Sequence, residues 1–273
     1  MDYSAVMLLA LLLLAQLQPL PPQLVALDSD QGRRLLAEST ASRDFFALVG
    51  TFEQQRSSAL CGVAASVAVL NALPLRAPEL PSMSPWRAFT QENVFDQAAL
   101  EAVGRGGATL EQLASYLRSA GADARAVHAS DTTLAEFRTE AARNLATAGD
   151  YLLVDFLRAE LGQDFGAHWS PLGAYHAASD RFLVLDVNRI RYPPYWARAE
   201  DLFRAMNTSD PDAGASRGYL VVAARAGAPA RVEIPPLGHQ LLRWVAAAAL
   251  GIFLAGALAG GLLVRFRLTR RGR

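Results

Sequence analysis

"FEQQRSSALCGVAASVAVLNAL", Phe52 to Leu73, holds the only cysteine of the chain and places it where a polar, glutamine-bearing loop gives way to small apolar side chains. From Cys61 to Leu73 small and apolar residues recur at helical spacing, which predicts a helix headed by the sulfur. Unpaired backbone N–H groups and aligned peptide dipoles favour negative charge there, so the thiol is expected to have a lowered pKa and to attack as thiolate. Gly62 leaves room for a substrate backbone, and Ala64, Ala65 and Ser66 let the helix pack closely against later elements. Gln55, six residues upstream, can aim a side-chain N–H at the same helix start, where an oxyanion forms when a carbonyl is attacked. That suits acyl transfer. A single cysteine excludes an intrachain disulfide and a cysteine-rich metal cluster. Without its neighbours it would read as a small buried hydrophobe.

A thiol nucleophile needs an imidazole to take its proton and a third group to orient that imidazole. Four histidines compete. His239 falls in a linker and His128 in a helix-to-strand connection, and both are expected to be solvated. The runs "YLLVDFL" (151–157), "HWSPLGAYH" (168–176), "RFLVLDV" (181–187) and "YLVVAA" (219–224) are short, β-branched or aromatic, and divided by turn residues, so they predict strands. His168 and His176 share one of them, and Asp186 lies in the next. A carboxylate inside an apolar strand is costly to bury without a partner, and a histidine is the obvious one. Spacing leaves His168 and His176 both open. With helices first, including 110–120, and antiparallel strands afterwards, the expected class is α+β.

The chain's 273 residues, 52% of them hydrophobic, can bury one large core. Its 26 basic and 26 acidic residues cancel, so no field favours nucleic acid as a partner. All basic side chains are arginine, from which nothing functional follows. "VMLLALLLLA" (6–15), followed by prolines, reads as an export signal or N-terminal anchor over 1–26. The folded domain is expected over 36–224 and a Pro/Gly-rich linker over 225–243. Residues 244–264 carry no charge over 21 positions, enough to cross about 30 Å of hydrocarbon. The tail 265–273 carries five arginines, which the positive-inside rule places in the cytoplasm. These features predict a single-pass, membrane-anchored protein with its domain on the extracytoplasmic, periplasmic side.

Three blocks, "QRSSALCGVAASVAVLNAL", "HWSPLGAYHA" and "LDVNRIRYPPYW", closely resemble the catalytic domain of the phytochelatin synthase family in order and separation, over roughly 36–224. The resemblance implies a papain-like fold, with a helical lobe carrying the cysteine and a sheet lobe carrying histidine and aspartate. It implies Cys61 as nucleophile, His168 as general base and acid in preference to His176, Asp186 as orienting carboxylate and Gln55 as oxyanion donor. Arg189 and Tyr192 match positions associated with substrate binding, Arg189 holding a carboxylate. The implied reaction is attack on the Cys–Gly bond of glutathione, giving a γ-Glu-Cys thioester that passes to a second glutathione or to water. These 273 residues hold none of the further cysteines of the plant proteins. Cadmium or zinc is therefore expected to enter as a metal–glutathione thiolate, with no tightly bound cofactor and no protein metal ligands. The cysteine block also resembles leader-peptide peptidase domains of bacterial exporters, and a non-catalytic membrane-tethered binding domain is a third reading.

Overall fold

The computed structural model describes residues 18–164 and 166–227. The expected span at 244–264, the basic tail and most of the linker lie outside the described residues, as do the first 17. Among the described residues, no helix is long and apolar enough to cross a membrane.

The elements run β1 (Val25–Ala26), α1 (Asp30–Glu38), α2 (Arg43–Val49), α3 (Cys61–Ala72), α4 (Gln97–Gly106), α5 (Leu110–Ser119), β2 (Ala122–His128), α6 (Leu134–Ala146), β3 (Asp150–Leu157), β4 (Ala167–His176), β5 (Arg181–Val184), β6 (Tyr195–Arg198), α7 (Ala199–Met206), β7 (Ser209–Asp210), β8 (Ala215–Ser216) and β9 (Gly218–Ala224). A sheet of order β1-β6-β5-β4-β3-β9-β2 organises the domain, with every pairing antiparallel. The α+β class expected from the strand runs is what forms.

Alternation along β3 builds two cores. Tyr151 and Leu153 pack with α3 and α5, whereas Leu152, Val154 and Phe156 pack with α6 and α7. The helices that cover this second face are an addition to the expected division into one helical lobe and one sheet lobe. Helix α3 is buried at every position from Cys61 to Leu70. A helix apolar all round must lie inside the protein, and its Ala and Gly positions allow that close seat.

The sequence boundary at Leu36 is too late. Leu24 is buried, Val25 and Ala26 pair with Trp196 and Tyr195, and Gln18 N–H donates to Arg191 O at 2.8 Å. Residue 26, expected to end a leader, therefore sits in an edge strand. A two-residue strand has no alternation to read, and the neighbouring apolar residues were absorbed into the signal-like run. Two further expectations shift. The strand at 181–187 ends at Val184, leaving Asp186 in the loop that follows, and His128 closes β2 rather than lying in a connection. His128 is half-buried, with Nδ1 against Ser216 O.

Candidate active site

Leu60 precedes α3 without a side-chain cap, so the first N–H groups of the helix stay free of a capping oxygen. Cys61 begins that helix, where the backbone N–H groups of Trp169 on β4 and of Gly62 favour its charged form. Burial nevertheless dominates: it pushes the Cys61 thiol up to about 11, against the pull of the Trp169 N–H. Burial thus opposes the lowering expected from the helix start. Dipole and N–H groups act on the sulfur, but the charged form has lost its water.

His168, the residue before Trp169, is buried on β4, with its ring edge-on to Phe156 across the β3–β4 pair. Its Nε2 lies 2.9 Å from Asp186 Oδ1. Asp186 is fully buried and also receives Arg158 Nη2–H and Asn188 N–H on Oδ1, each at 2.9 Å, while Arg158 Nη1 stands 2.8 Å from Oδ2. Burial would raise this carboxyl, but His168 and Arg158 outweigh it and hold Asp186 well below the usual carboxylate range. Burial lowers the His168 pKa; Asp186 opposes that and Arg158 reinforces it. With Nε2 committed to Asp186, Nδ1 is the ring nitrogen left to exchange a proton.

The remaining candidates divide. Gln55 is buried beside this cluster, its N–H donating to Val187 O at 2.9 Å, and its side-chain Nε2 donates to Ser57 O at 2.7 Å. That leaves one amide hydrogen for an oxyanion. Arg189 is exposed, its guanidinium carbon 5.1 Å from the centre of the Phe52 ring. Tyr192 is 2% exposed, with Arg158 stacked over its ring and its hydroxyl accepting from Asp164 N–H; it packs behind the cluster instead of meeting solvent. Gly62 likewise serves packing, since a Cβ there would meet Trp169 Cδ1 at 3.3 Å and the Leu113 methyls at 3.4 Å. His176 lies at the far end of β4, bonded to Ser179 and 3.4 Å from Glu38.

A cavity of about 510 Å³ opens onto Cys61, lined also by Arg105, Asp155, Trp169, Asp210 and Arg217. Arg217 Nε stands 3.8 Å from Asp155 Oδ1, and neither atom has a hydrogen-bond partner. Burial drives the Asp155 carboxyl well above its usual range, with Arg217 pulling it down. These groups, and Arg158, escaped the sequence reading. Asp155 interrupts the apolar run "YLLVDFL" just as Asp186 interrupts "RFLVLDV", so the cost of a carboxylate in a strand was a usable signal for both. Among the described residues, no group of three His, Cys, Asp or Glu could hold a metal ion.

A thiol at a helix start, an imidazole held by a carboxylate, and a cleft of mixed charge beside the sulfur define the class: an α+β domain organised around one cysteine. The chain belongs to the phytochelatin synthase family, whose model matches residues 15–219. It is similar to glutathione gamma-glutamylcysteinyltransferase 1 of Triticum aestivum, at 35% identity over 81% of this chain and 44% of that protein. The corresponding protein 3 of Lotus japonicus is 33% identical over 81% of this chain and 47% of its own length. The Schizosaccharomyces pombe protein of the same name is 28% identical, over 74% and 50%. The chain thus spans about half the length of these curated relatives.

Proposed function

We propose that this chain is a papain-like thiol acyltransferase that cleaves the Cys–Gly bond of glutathione. The observation that carries the reading is the buried His168–Asp186 pair, one residue along β4 from Trp169, which lines the same cavity as Cys61, in a chain of this family. Cys61 Sγ attacks the peptide carbonyl carbon while its proton passes to His168 Nδ1. The oxyanion is received by the free hydrogen of Gln55 Nε2 and by the helix-start N–H groups. Collapse breaks the C–N bond, His168 returns the proton to the departing glycine amine, and γ-Glu-Cys remains as a thioester on Cys61. The cavity suits this ligand, because a γ-glutamyl end carries both an ammonium and a carboxylate, and Asp210 and Arg217 offer both signs.

The amine of a second glutathione resolves the thioester into a phytochelatin one unit longer, and water resolves it into free γ-Glu-Cys. Arg189, exposed on the loop after Asp186, is the residue we assign to an acceptor carboxylate. Cadmium or zinc enters as a metal–glutathione thiolate. The apolar run 244–264 and the arginine tail support a membrane-anchored protein with its domain on the extracytoplasmic side.

Incubating the purified chain with glutathione, with and without cadmium or zinc, and following products by mass spectrometry tests the reading. Glycine is expected together with γ-Glu-Cys or its oligomers, and Cys61→Ser is expected to abolish all of them. Glycine release that survives Cys61→Ser would overturn the assignment, and cleavage of a double-glycine leader peptide in place of glutathione would favour a peptidase.

A further inference from the structure

One charged group behind the reacting residues takes no part in the chemistry above. Arg158 follows directly on β3 and is 3% exposed, yet its Nη2 donates to Asp186 Oδ1 at 2.9 Å and its Nη1 stands 2.8 Å from Oδ2, an oxygen with no hydrogen bond of its own. Its Nη1 also donates to Gln163 Oε1 at 2.6 Å, and its guanidinium carbon stands 5.1 Å from the centre of the Tyr192 ring. Removing a guanidinium from water costs several kcal/mol, and well-packed apolar residues commonly join elements at least as well as a buried ion pair. A charge placed here therefore needs a reason beyond packing, and its charge cancels that of Asp186.

We propose that Arg158 is a positioning residue: by pairing with both oxygens of Asp186 it fixes the carboxylate against His168 Nε2 and neutralises it, so that Cys61 and His168 rest as uncharged thiol and uncharged imidazole. The proton then moves only when a carbonyl is under attack. This rests on reading Cys61, His168 and Asp186 as the reacting groups. An uncompensated Asp186 would instead stabilise an imidazolium, and through it a standing thiolate.

The other charges agree. His168 faces Asp186 from the loop after β5, Arg158 from the end of β3, and Arg191 from the loop before β6; both arginines disfavour an imidazolium. Cys61 faces Asp155 on β3, which opposes a thiolate, and Arg158, which favours one less strongly than burial resists it. Asp155 in turn faces Arg217 before β9 and Asp210 on β7.

The test uses the full chain and iodoacetamide, an uncharged probe that reacts with thiolate and not with thiol. The rate of Cys61 alkylation is followed from pH 5 to pH 10, with thiolate absorbance at 240 nm measured in parallel, for the unaltered protein, Arg158→Met and Arg158→Lys. The unaltered protein is expected to show one limb, rising only above about pH 8, and no thiolate absorbance at pH 6. Arg158→Met is expected to gain a plateau of reactivity at pH 6, about tenfold or more above the unaltered rate, a change of one pKa unit. Arg158→Lys keeps the charge and should keep the single limb. Thiolate at pH 6 in the unaltered protein overturns the proposal, as does a folded Arg158→Met with an unchanged profile. If Arg158→Met does not fold, the unaltered profile and its 240 nm absorbance decide alone. No glutathione is present, so failure here leaves the glutathione reading standing, and absent glycine release with these profiles would sink only that reading.

Discussion

Asp186 accepts from an imidazole, a guanidinium and a backbone N–H while fully buried, and losing its charge leaves Arg158 stranded without a counterion. Asp186→Asn should therefore cost about 3–5 kcal/mol of stability in urea unfolding, the scale for breaking a buried pair from one side. Glycine release should fall by up to about 10⁴, because the amide no longer fixes the imidazole tautomer. A variant as stable as the parent would show that Arg158 finds another partner. The burial of Cys61, His168, Asp186 and Gln55, and the pairing of His168 with Asp186, were expected because each is a chemically loaded residue type in a setting that makes a bland role expensive. Arg158 was not. Its partner lies 28 residues on, and one arginine among many announces nothing until the fold pairs it. Tyr192 and Gly62 are both closely packed, and burial is a tertiary fact that a motif does not carry.

At the scale of elements, the runs at 151, 168 and 219 emerged within a residue or two of their expected bounds, because alternation and flanking turns agree there. Helix α6 went unread although Thr133 and Glu136 form a capping box at its start, the same signature that Thr109 and Gln112 give α5. What was missed outright is the seam between α1 and β1. A Cβ on Gly32 would stand 2.0 Å from Ala26 O and 2.7 Å from Leu27 O, both rigid backbone. Gly32→Ala should destabilise the domain by about 1–3 kcal/mol, the usual cost of overpacking, and should speed hydrogen exchange at Val25 and Leu27 before it reaches β3. A neutral substitution would mean that the β1–β6 pairing is dispensable.

For the molecule as a whole, buried acids set a preference for mild acidity. Burial, helped by Asp150, pushes Asp44 up to about 8 from an unfolded value near 3.8, and its Oδ2 has no hydrogen-bond partner. A raised carboxyl contributes stability that is full below its unfolded pKa and is lost as pH rises through the folded one. Asp186, held low, contributes above its unfolded pKa and loses that contribution as pH falls. Through Asp44, thermal melts should thus decline from about pH 4 to about pH 8, and Asp44→Asn should flatten that decline. An equal slope in both proteins would clear Asp44 of responsibility.

The strand order has a consequence during synthesis. β3, which carries Asp155 and leads into Arg158, lies between β4 and β9, and β9 is the last strand of the sheet in the chain. On the ribosome the middle of the sheet must wait until residue 224 has cleared the exit tunnel, with one flank of β3 bare in the meantime. Nascent chains stalled short of that point should recruit holdase chaperones, and the cleft beside the sulfur should take shape only as translation of the domain ends.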